Sequence, residues 1–127
     1  MATITAKLTL TSTDWHSDSL SLSPSQTLTI SGDEQAVGRF TTSTTAAKLP
    51  VGAFDSTDKK VWIYIKNMSV TAAEKIEISE DHGGVAGRAF ANLGAGEWAF
   101  FPYSDNDSIW VDAASGTPII EYGIFEV

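Results

Sequence analysis

Hydrophobic and polar residues alternate along much of the chain with the period of two that a half-buried β-strand shows. From residue 3 to residue 11, an isoleucine, alanine or leucine at each even position alternates with threonine or lysine. Leucine or isoleucine alternates with serine or threonine again at residues 19–23 and 27–30. Because β-branched threonine suits the solvated face of a strand, these segments predict strands with one apolar face.

The second half of the chain carries longer apolar runs. Residues 61–65 are apolar at every position, and the run at residues 97–102 is stopped by a proline. Further patterns predict strands at residues 36–43, 75–79, 109–111 and 119–127. Glycine, proline and polar clusters predict turns at residues 31–33, 80–84, 104–108 and 114–116 and a long loop at residues 44–59.

These patterns predict an all-β protein, with about eight to ten short strands at the roughly 8–12-residue spacing of a sandwich or barrel. Helical periodicity is confined to residues 70–75, which is too short for a stable helix. We therefore expect an antiparallel β-sandwich, jelly-roll-like in its winding.

Amino-acid usage changes near residue 50. Residues 1–50 contain 19 serines and threonines but one tryptophan and one phenylalanine, whereas residues 51–127 contain three tryptophans, three tyrosines and five phenylalanines. The first half has too few large side chains to build its own core. We therefore expect a single domain, residues 1–127, in which the Ser/Thr-rich strands of residues 1–50 cover a core supplied by the aromatic-rich strands of residues 51–127.

The net charge of the chain limits the kinds of molecule that it can bind. The 127 residues carry eight Lys and Arg against 16 Asp and Glu, a formal net charge of −8. Nucleic acid and anionic membrane surfaces are both poor partners for such a chain, because binding to either needs clustered cations. There is no cysteine, which excludes disulfides, thiol nucleophiles and thiolate metal sites. With no apolar stretch near 20 residues and no basic segment before an apolar run, we expect a soluble protein made in the cytoplasm.

Three polar clusters are the candidates for metal or catalytic chemistry. Residues 14–18 place two aspartates around a histidine, residues 80–84 join acids, a histidine and two glycines, and residues 104–108 offer oxygen ligands suited to calcium. Each reads more simply as a turn between strands, and the last lacks the glycine and distal glutamate of a calcium loop. No nucleophile elbow, phosphate-binding loop or dinucleotide fingerprint is present. We therefore expect no catalytic residues, no metal, no cofactor and no enzymatic activity.

Several strands are apolar on both faces, which indicates a second covering surface. In residues 61–65, for example, Trp62 and Tyr64 point opposite to the aliphatic residues between them. The cover is either the N-terminal strands or the 44–59 loop of the same chain, or another subunit, since interfaces are enriched in aromatic residues. The candidate interface residues are Trp62, Tyr64, Phe101, Trp110 and Phe125.

The chain resembles small virion structural proteins of tailed bacteriophages, especially those of aquatic bacteria. The residues that carry the resemblance are Met1, Ala2, Ile4, Ala6, Leu8 and Leu10, then residues 64–67, 93–97 and 100–102, and the closing residues 121–126. The resemblance implies a β-sandwich or jelly-roll with no active site that forms a homo-oligomer, often a trimer. It also implies a decoration (cement) protein bound to the major capsid protein on the capsid surface, or a component of the tail or neck.

An acidic, cysteine-free chain of this size agrees with a decoration protein that is made in the host cytoplasm and keeps particles apart by charge. The alternative outside the virion class is a carbohydrate-binding sandwich, in which Trp15, Trp62, Trp98 or Trp110 forms a platform for sugar rings. An enzyme is the third and weakest reading.

Metal chelation tests the expectation that no ion is required. We expect the melting temperature to stay unchanged after treatment with a chelator, because the two aspartates in residues 104–108 belong to a predicted solvated turn that needs no bound ion. A fall in melting temperature that calcium reverses would assign those residues to an ion instead.

Overall fold

A computed structural model describes residues 2–14, 19–30, 35–49, 60–82, 85–103 and 108–127. The predicted turns at 14–18, 31–33, 80–84 and 104–108 and the predicted loop at 44–59 lie wholly or partly outside these residues.

Strands make up 64% of the described structure, and none of the described residues is helical. The strands are β1 (Ala2–Lys7), β2 (Leu10–Ser12), β3 (Leu20–Leu22), β4 (Ser25–Ile30), β5 (Gln35–Thr41), β6 (Ala47–Lys48), β7 (Val61–Asn67), β8 (Ile76–Asp81), β9 (Ala86–Leu93), β10 (Trp98–Tyr103), β11 (Trp110–Ala113) and β12 (Ile119–Glu126).

All of the strand pairs are antiparallel, so the all-β sandwich predicted from the sequence is confirmed. The twelve described strands exceed the nine predicted segments for three reasons. The first apolar run divides into β1 and β2 at Leu8 and Thr9, the two-residue strand β6 lies inside the predicted loop, and β9 falls where no strand was predicted. The jelly-roll winding stays a prediction.

The chain divides into two compact units. The first comprises residues 1–31 together with Val127, and the second comprises residues 32–126. In the first unit, β1 pairs with β4 and β2 pairs with β3. The prediction that residues 1–50 cover the core of a single domain stays a prediction.

The second unit contains two four-stranded sheets. The first sheet has the strand order β10-β7-β12-β5, and the second has the order β6-β11-β8-β9. The β8–β9 ladder shifts its register around Ser79, which marks a bulge. Apart from the consecutive strands β8 and β9, the neighbouring strands in both sheets are distant in sequence, so the pattern of single strands does not reveal most of the pairs.

Isoleucine fills the space between the two sheets. Isoleucines from both sheets are almost completely buried, namely Ile63, Ile65, Ile76, Ile78, Ile109, Ile120 and Ile124. At one edge, the rings of Phe90 on β9 and Phe101 on β10 meet edge to face with centroids 5.5 Å apart. Because β7 contributes to this core with every second residue, its intervening residues must face outward.

A single buried amide joins the end of β7 to two other segments. The Asn67 side chain is fully buried, and its Nδ2 donates hydrogen bonds to the carbonyl oxygens of Glu74 (2.7 Å) and Leu93 (3.2 Å). Its Oδ1 accepts a hydrogen bond from the backbone N–H of Ser69 at 3.0 Å. The backbone of Asn67 also pairs with the turn between β9 and β10. Both the amide nitrogen and the amide oxygen therefore serve the fold, through three hydrogen bonds.

Replacing this amide tests its structural role. We expect Asn67→Ala to lower the free energy of unfolding by about 2–4 kcal/mol, since two carbonyl groups and one N–H group lose their partner in a buried site. Urea denaturation measures the change. Asn92→Ala, at an exposed position on β9, is the control and is expected to change stability by less than about 0.5 kcal/mol. Equal stability of the two variants would contradict the assignment.

Candidate functional site

The outer side of the first sheet, away from the isoleucine core, carries a group of aromatic rings. Trp62 and Tyr64 lie between the core residues of β7, and residues directly opposite in an antiparallel ladder point to the same side. Phe100 lies opposite Tyr64, and Phe125 lies opposite Trp62. Trp98, two residues before Phe100, shares their side. We call these five residues the aromatic face.

Two rings of the aromatic face are in direct contact across neighbouring strands. Trp62 and Phe100 are stacked, with centroids 5.0 Å apart and planes inclined by 24°. The ammonium group of Lys60 lies 5.2 Å from the centroid of the Trp62 ring. Trp98, on the edge strand β10, is 51% exposed, while Trp62 and Phe100 are partly buried. The face therefore presents solvent-accessible aromatic surface on the outer side of the sheet.

Glycine at position 123 lets the Phe125 ring lie over the sheet. Gly123 is opposite Tyr64 in the ladder, on the same side as the aromatic rings. A Cβ atom at position 123 would lie 2.9 Å from Cζ of Phe125. Any side chain there would displace the ring, so Gly123 controls the shape of the face without contributing an aromatic group.

A polar cluster borders the aromatic rings. The hydroxyl of Tyr64 donates a hydrogen bond to Oε1 of Glu121 at 3.2 Å, and Arg39 Nη2 lies 4.0 Å from Oε2 of the same carboxylate. Burial raises the pKa of Tyr64, and the hydrogen bond and negative charge of Glu121 raise it further. The phenol is therefore neutral at physiological pH and serves as a hydrogen-bond donor.

Phe101 does not belong to this face. It lies opposite Ile63 and packs against the isoleucine core, with its ring edge to face against Phe90. The alternation along residues 98–101 requires that Phe100 and Phe101 point to opposite sides. Phe100, and not Phe101, thus joins Trp62, Tyr64 and Phe125.

Trp110 lies in the second sheet, apart from the aromatic face. Its indole Nε1 donates a hydrogen bond to Oδ2 of Asp81 at 2.9 Å. Lys48 Nζ lies 2.9 Å from the same oxygen and 5.4 Å from the centroid of the Trp110 ring. The Asp81 side chain is 4% exposed. Trp110 therefore has a structural partner, a buried carboxylate, that the sequence pattern did not indicate.

Of the five predicted interface residues, the structure brings three together: Trp62, Tyr64 and Phe125. Sequence reasoning missed Trp98 and Phe100 as members of the same group. The spacing of two positions shows that Trp98 and Phe100 share one side of a strand, but it does not show which side faces the core. The pairing of Tyr64 with Phe100 supplies that information.

The predicted turn at residues 80–84 is described in part. Asp81 closes β8, and the backbone N–H of His82 donates to the carbonyl of Val85 at 2.8 Å. Across the described part of the chain, no cluster of three or more His, Asp or Glu side chains could hold a metal ion. Trp15 and the acidic residues 105 and 107 lie outside that part.

No protein-family model matches the chain, and no curated protein matches it either. In the ranges that the structure describes, no helix is long and apolar enough to cross a membrane.

Removing the indole N–H separates a structural role of Trp110 from a role in association. We expect Trp110→Phe to lower the free energy of unfolding by about 1.5–3 kcal/mol, because the buried carboxylate of Asp81 loses a hydrogen bond. The mass in solution, measured by light scattering, is expected to equal that of the wild type. A variant of unchanged stability but altered mass would place Trp110 in an interface.

Proposed function

We propose that this protein is a non-enzymatic structural protein of a phage virion that uses the aromatic face to bind a larger protein shell. The observation that carries the proposal is the outward clustering of five aromatic side chains on one side of a sheet whose other side is the core. Aromatic residues are enriched at the centres of protein interfaces, where tryptophan and tyrosine contribute most of the binding energy.

Capsid decoration is the specific role that we propose within this class. The resemblance to small virion proteins supports it, as do the small size, the absence of cysteine and the acidic net charge. In this role the protein forms a homo-oligomer, a trimer in the resembling proteins, on the outer surface of the major capsid lattice. It stabilises the lattice by burying the aromatic face against the capsid protein. A tail or neck position is the alternative within the virion.

The polar border of the aromatic face fits a protein partner. Glu121, Arg39 and the Tyr64 hydroxyl provide directional hydrogen bonding beside apolar rings, which is the arrangement of an apolar interface centre with a polar rim. Glu121 is paired with Arg39 and Tyr64 within the chain. Lys60 and Lys66 give the border of the face a positive charge.

Carbohydrate binding is a second candidate function. The exposed Trp98 beside the stacked pair of Trp62 and Phe100 favours it, because flat aromatic surfaces also stack on sugar rings. A melting temperature that rises with a soluble oligosaccharide, and does not do so in Trp98→Ala, would favour this function over shell binding.

Particle-binding measurements test the proposed role. We expect Trp62→Ala and Trp98→Ala to weaken binding to purified shells by about 2 kcal/mol, or roughly 30-fold, since each removes a large ring from the contact. Phe90→Ala is the matched control, because Phe90 is also 51% exposed but lies in the second sheet. Melting temperatures identify any variant that loses binding through unfolding.

Two further measurements sharpen the result. Gly123→Ala replaces no aromatic residue but displaces the Phe125 ring. Reduced binding by this variant therefore indicates that the shape of the face matters. Copy number in purified particles separates the virion roles: hundreds of copies indicate the capsid, and a few to a few dozen indicate the tail or neck. Folded Trp62 and Trp98 variants that bind shells as the wild type does would refute the assignment of the aromatic face.

A further inference from the structure

The strand pairs of the first unit form one continuous antiparallel ribbon. Ala2 pairs with Ile30 and Lys7 pairs with Ser25, so the numbers of the two residues in each pair of this ladder add up to 32. The pairing of Leu10 with Leu22 in the second ladder follows the same rule. The N–H of Leu8 bonds to the carbonyl of Pro24 at 3.1 Å in the interval between the ladders. The register is therefore the same before and after that interval.

This common register separates the side chains by chemistry. Paired residues share a side of the ribbon, so all even-numbered residues lie on one side and all odd-numbered residues on the other. The odd side consists of serine and threonine with one lysine, Lys7. The even side is mainly apolar and contains Ala2, Ile4, Ala6, Leu8, Leu10, Leu20, Leu22, Pro24, Leu28 and Ile30.

The apolar side is buried at one end of the ribbon and exposed towards the other. Leu28 and Ile30 are 4% and 5% exposed, whereas Leu8, Leu10 and Leu22 are each at least 39% exposed. Leu10 and Leu22 lie directly opposite each other. We call Leu8, Leu10 and Leu22 the leucine patch. A two-stranded ribbon is at best marginally stable in water on its own, so an uncovered apolar side calls for a cover.

We propose that the leucine patch packs against the leucine patch of a second copy of this chain. The distribution of charge favours a contact between two ribbons over a contact between a ribbon and residues 32–127 of a neighbouring copy. Residues 1–31 carry one lysine and two aspartates, a net charge of −1, whereas residues 32–127 carry seven cations and 14 carboxylates, a net charge of −7. A ribbon placed against residues 32–127 of a neighbouring copy brings a charge of −1 against −7, whereas two ribbons bring −1 against −1, so two ribbons meet with less repulsion.

The chemistry of the patch is also self-complementary. The described residues 8–12 and 20–24 contain no ionisable side chain, so a charged partner surface would lose hydration without gaining a counter-ion. Leucine against leucine avoids that cost, and the same surface on both copies is the requirement for a two-fold contact.

The size of the patch predicts a weak contact. Five residues per strand span about 17 Å, and two strands cover a width of about 10 Å. This footprint is well below the roughly 800 Å² per partner of a stable complex. We therefore expect association in the range of about 10 μM to 1 mM, strengthened where neighbouring copies are held close together. The inference goes beyond the proposed function, because a two-fold contact joins copies in pairs and is separate from the trimer of the resembling proteins. It uses none of the residues of the aromatic face.

Cysteine crosslinking provides a direct test, because the chain has no cysteine of its own. Leu10→Cys places a thiol on the apolar side, and Thr11→Cys places one on the opposite side of the same exposed strand. Facing sheets lie about 10 Å apart, so a bifunctional thiol reagent of about that reach joins two copies across the contact. We expect Leu10→Cys to crosslink at least about tenfold faster than Thr11→Cys. Equal rates would overturn the proposal.

Mass measurements against concentration provide the second test. We expect the wild type to associate reversibly and Leu10→Thr/Leu22→Thr to raise the midpoint at least about tenfold, while the opposite-side pair Thr11→Ser/Ser21→Thr leaves it unchanged. Association of the wild type that survives loss of both leucines would assign the contact to another surface, such as the aromatic face. A loss of melting temperature with no change in mass would show that the same chain covers the patch.

These assays contain no particle, so their outcome is independent of shell binding. If a ribbon variant stays monomeric but still binds shells through the aromatic face, the proposed shell binding is upheld and does not depend on self-association through the ribbon. Wild-type protein that self-associates through the patch but does not bind shells upholds the ribbon contact and refutes the decoration role.

Discussion

The isoleucine layer between the two sheets is the constraint on which the rest of the second unit depends. Side chains from β7 and β12 enter this layer at every second position and are almost completely buried. Their burial fixes which side of each strand faces inward, because a shift of one residue would turn every side chain to the other side. The positions of the aromatic rings follow from it: once Ile63 and Ile65 face the core, Trp62 and Tyr64 must face outward. Asn67 extends the same inward series and closes its end with hydrogen bonds instead of apolar contact.

The all-β class and most strand positions could be predicted from the sequence because alternation is a local property. The period of two at residues 3–11 and 27–30 and the apolar run at residues 61–65 each correspond to described strands. The break between β1 and β2 was not visible, since the alternation continues through Leu8 and Thr9. Strand β6 was missed because its two residues are held by pairing with β11, a contact distant in sequence. Strand β9 was missed because its residues do not alternate cleanly between buried and exposed positions.

The candidate site was harder to predict, because a face is a property of several strands together. Alternation showed that Phe100 and Phe101 point to opposite sides, but both sides of β10 are aromatic or apolar and neither is marked as the core. The pairing of Phe101 with Ile63 decides the question. The partner of Trp110 could not be predicted for a different reason: it is a buried aspartate 29 positions away in sequence. The assignment of Trp110 to an interface stays a prediction.

The constant register of the ribbon has a consequence for how this part of the chain can change in length. One inserted residue in either strand would shift all later partners and carry leucines to the side now held by serine and threonine. A matched removal of two residues from each strand preserves both the pairing and the sides, since the side-chain period is two. The ribbon can therefore lengthen or shorten in steps of four residues while retaining its two chemically distinct sides.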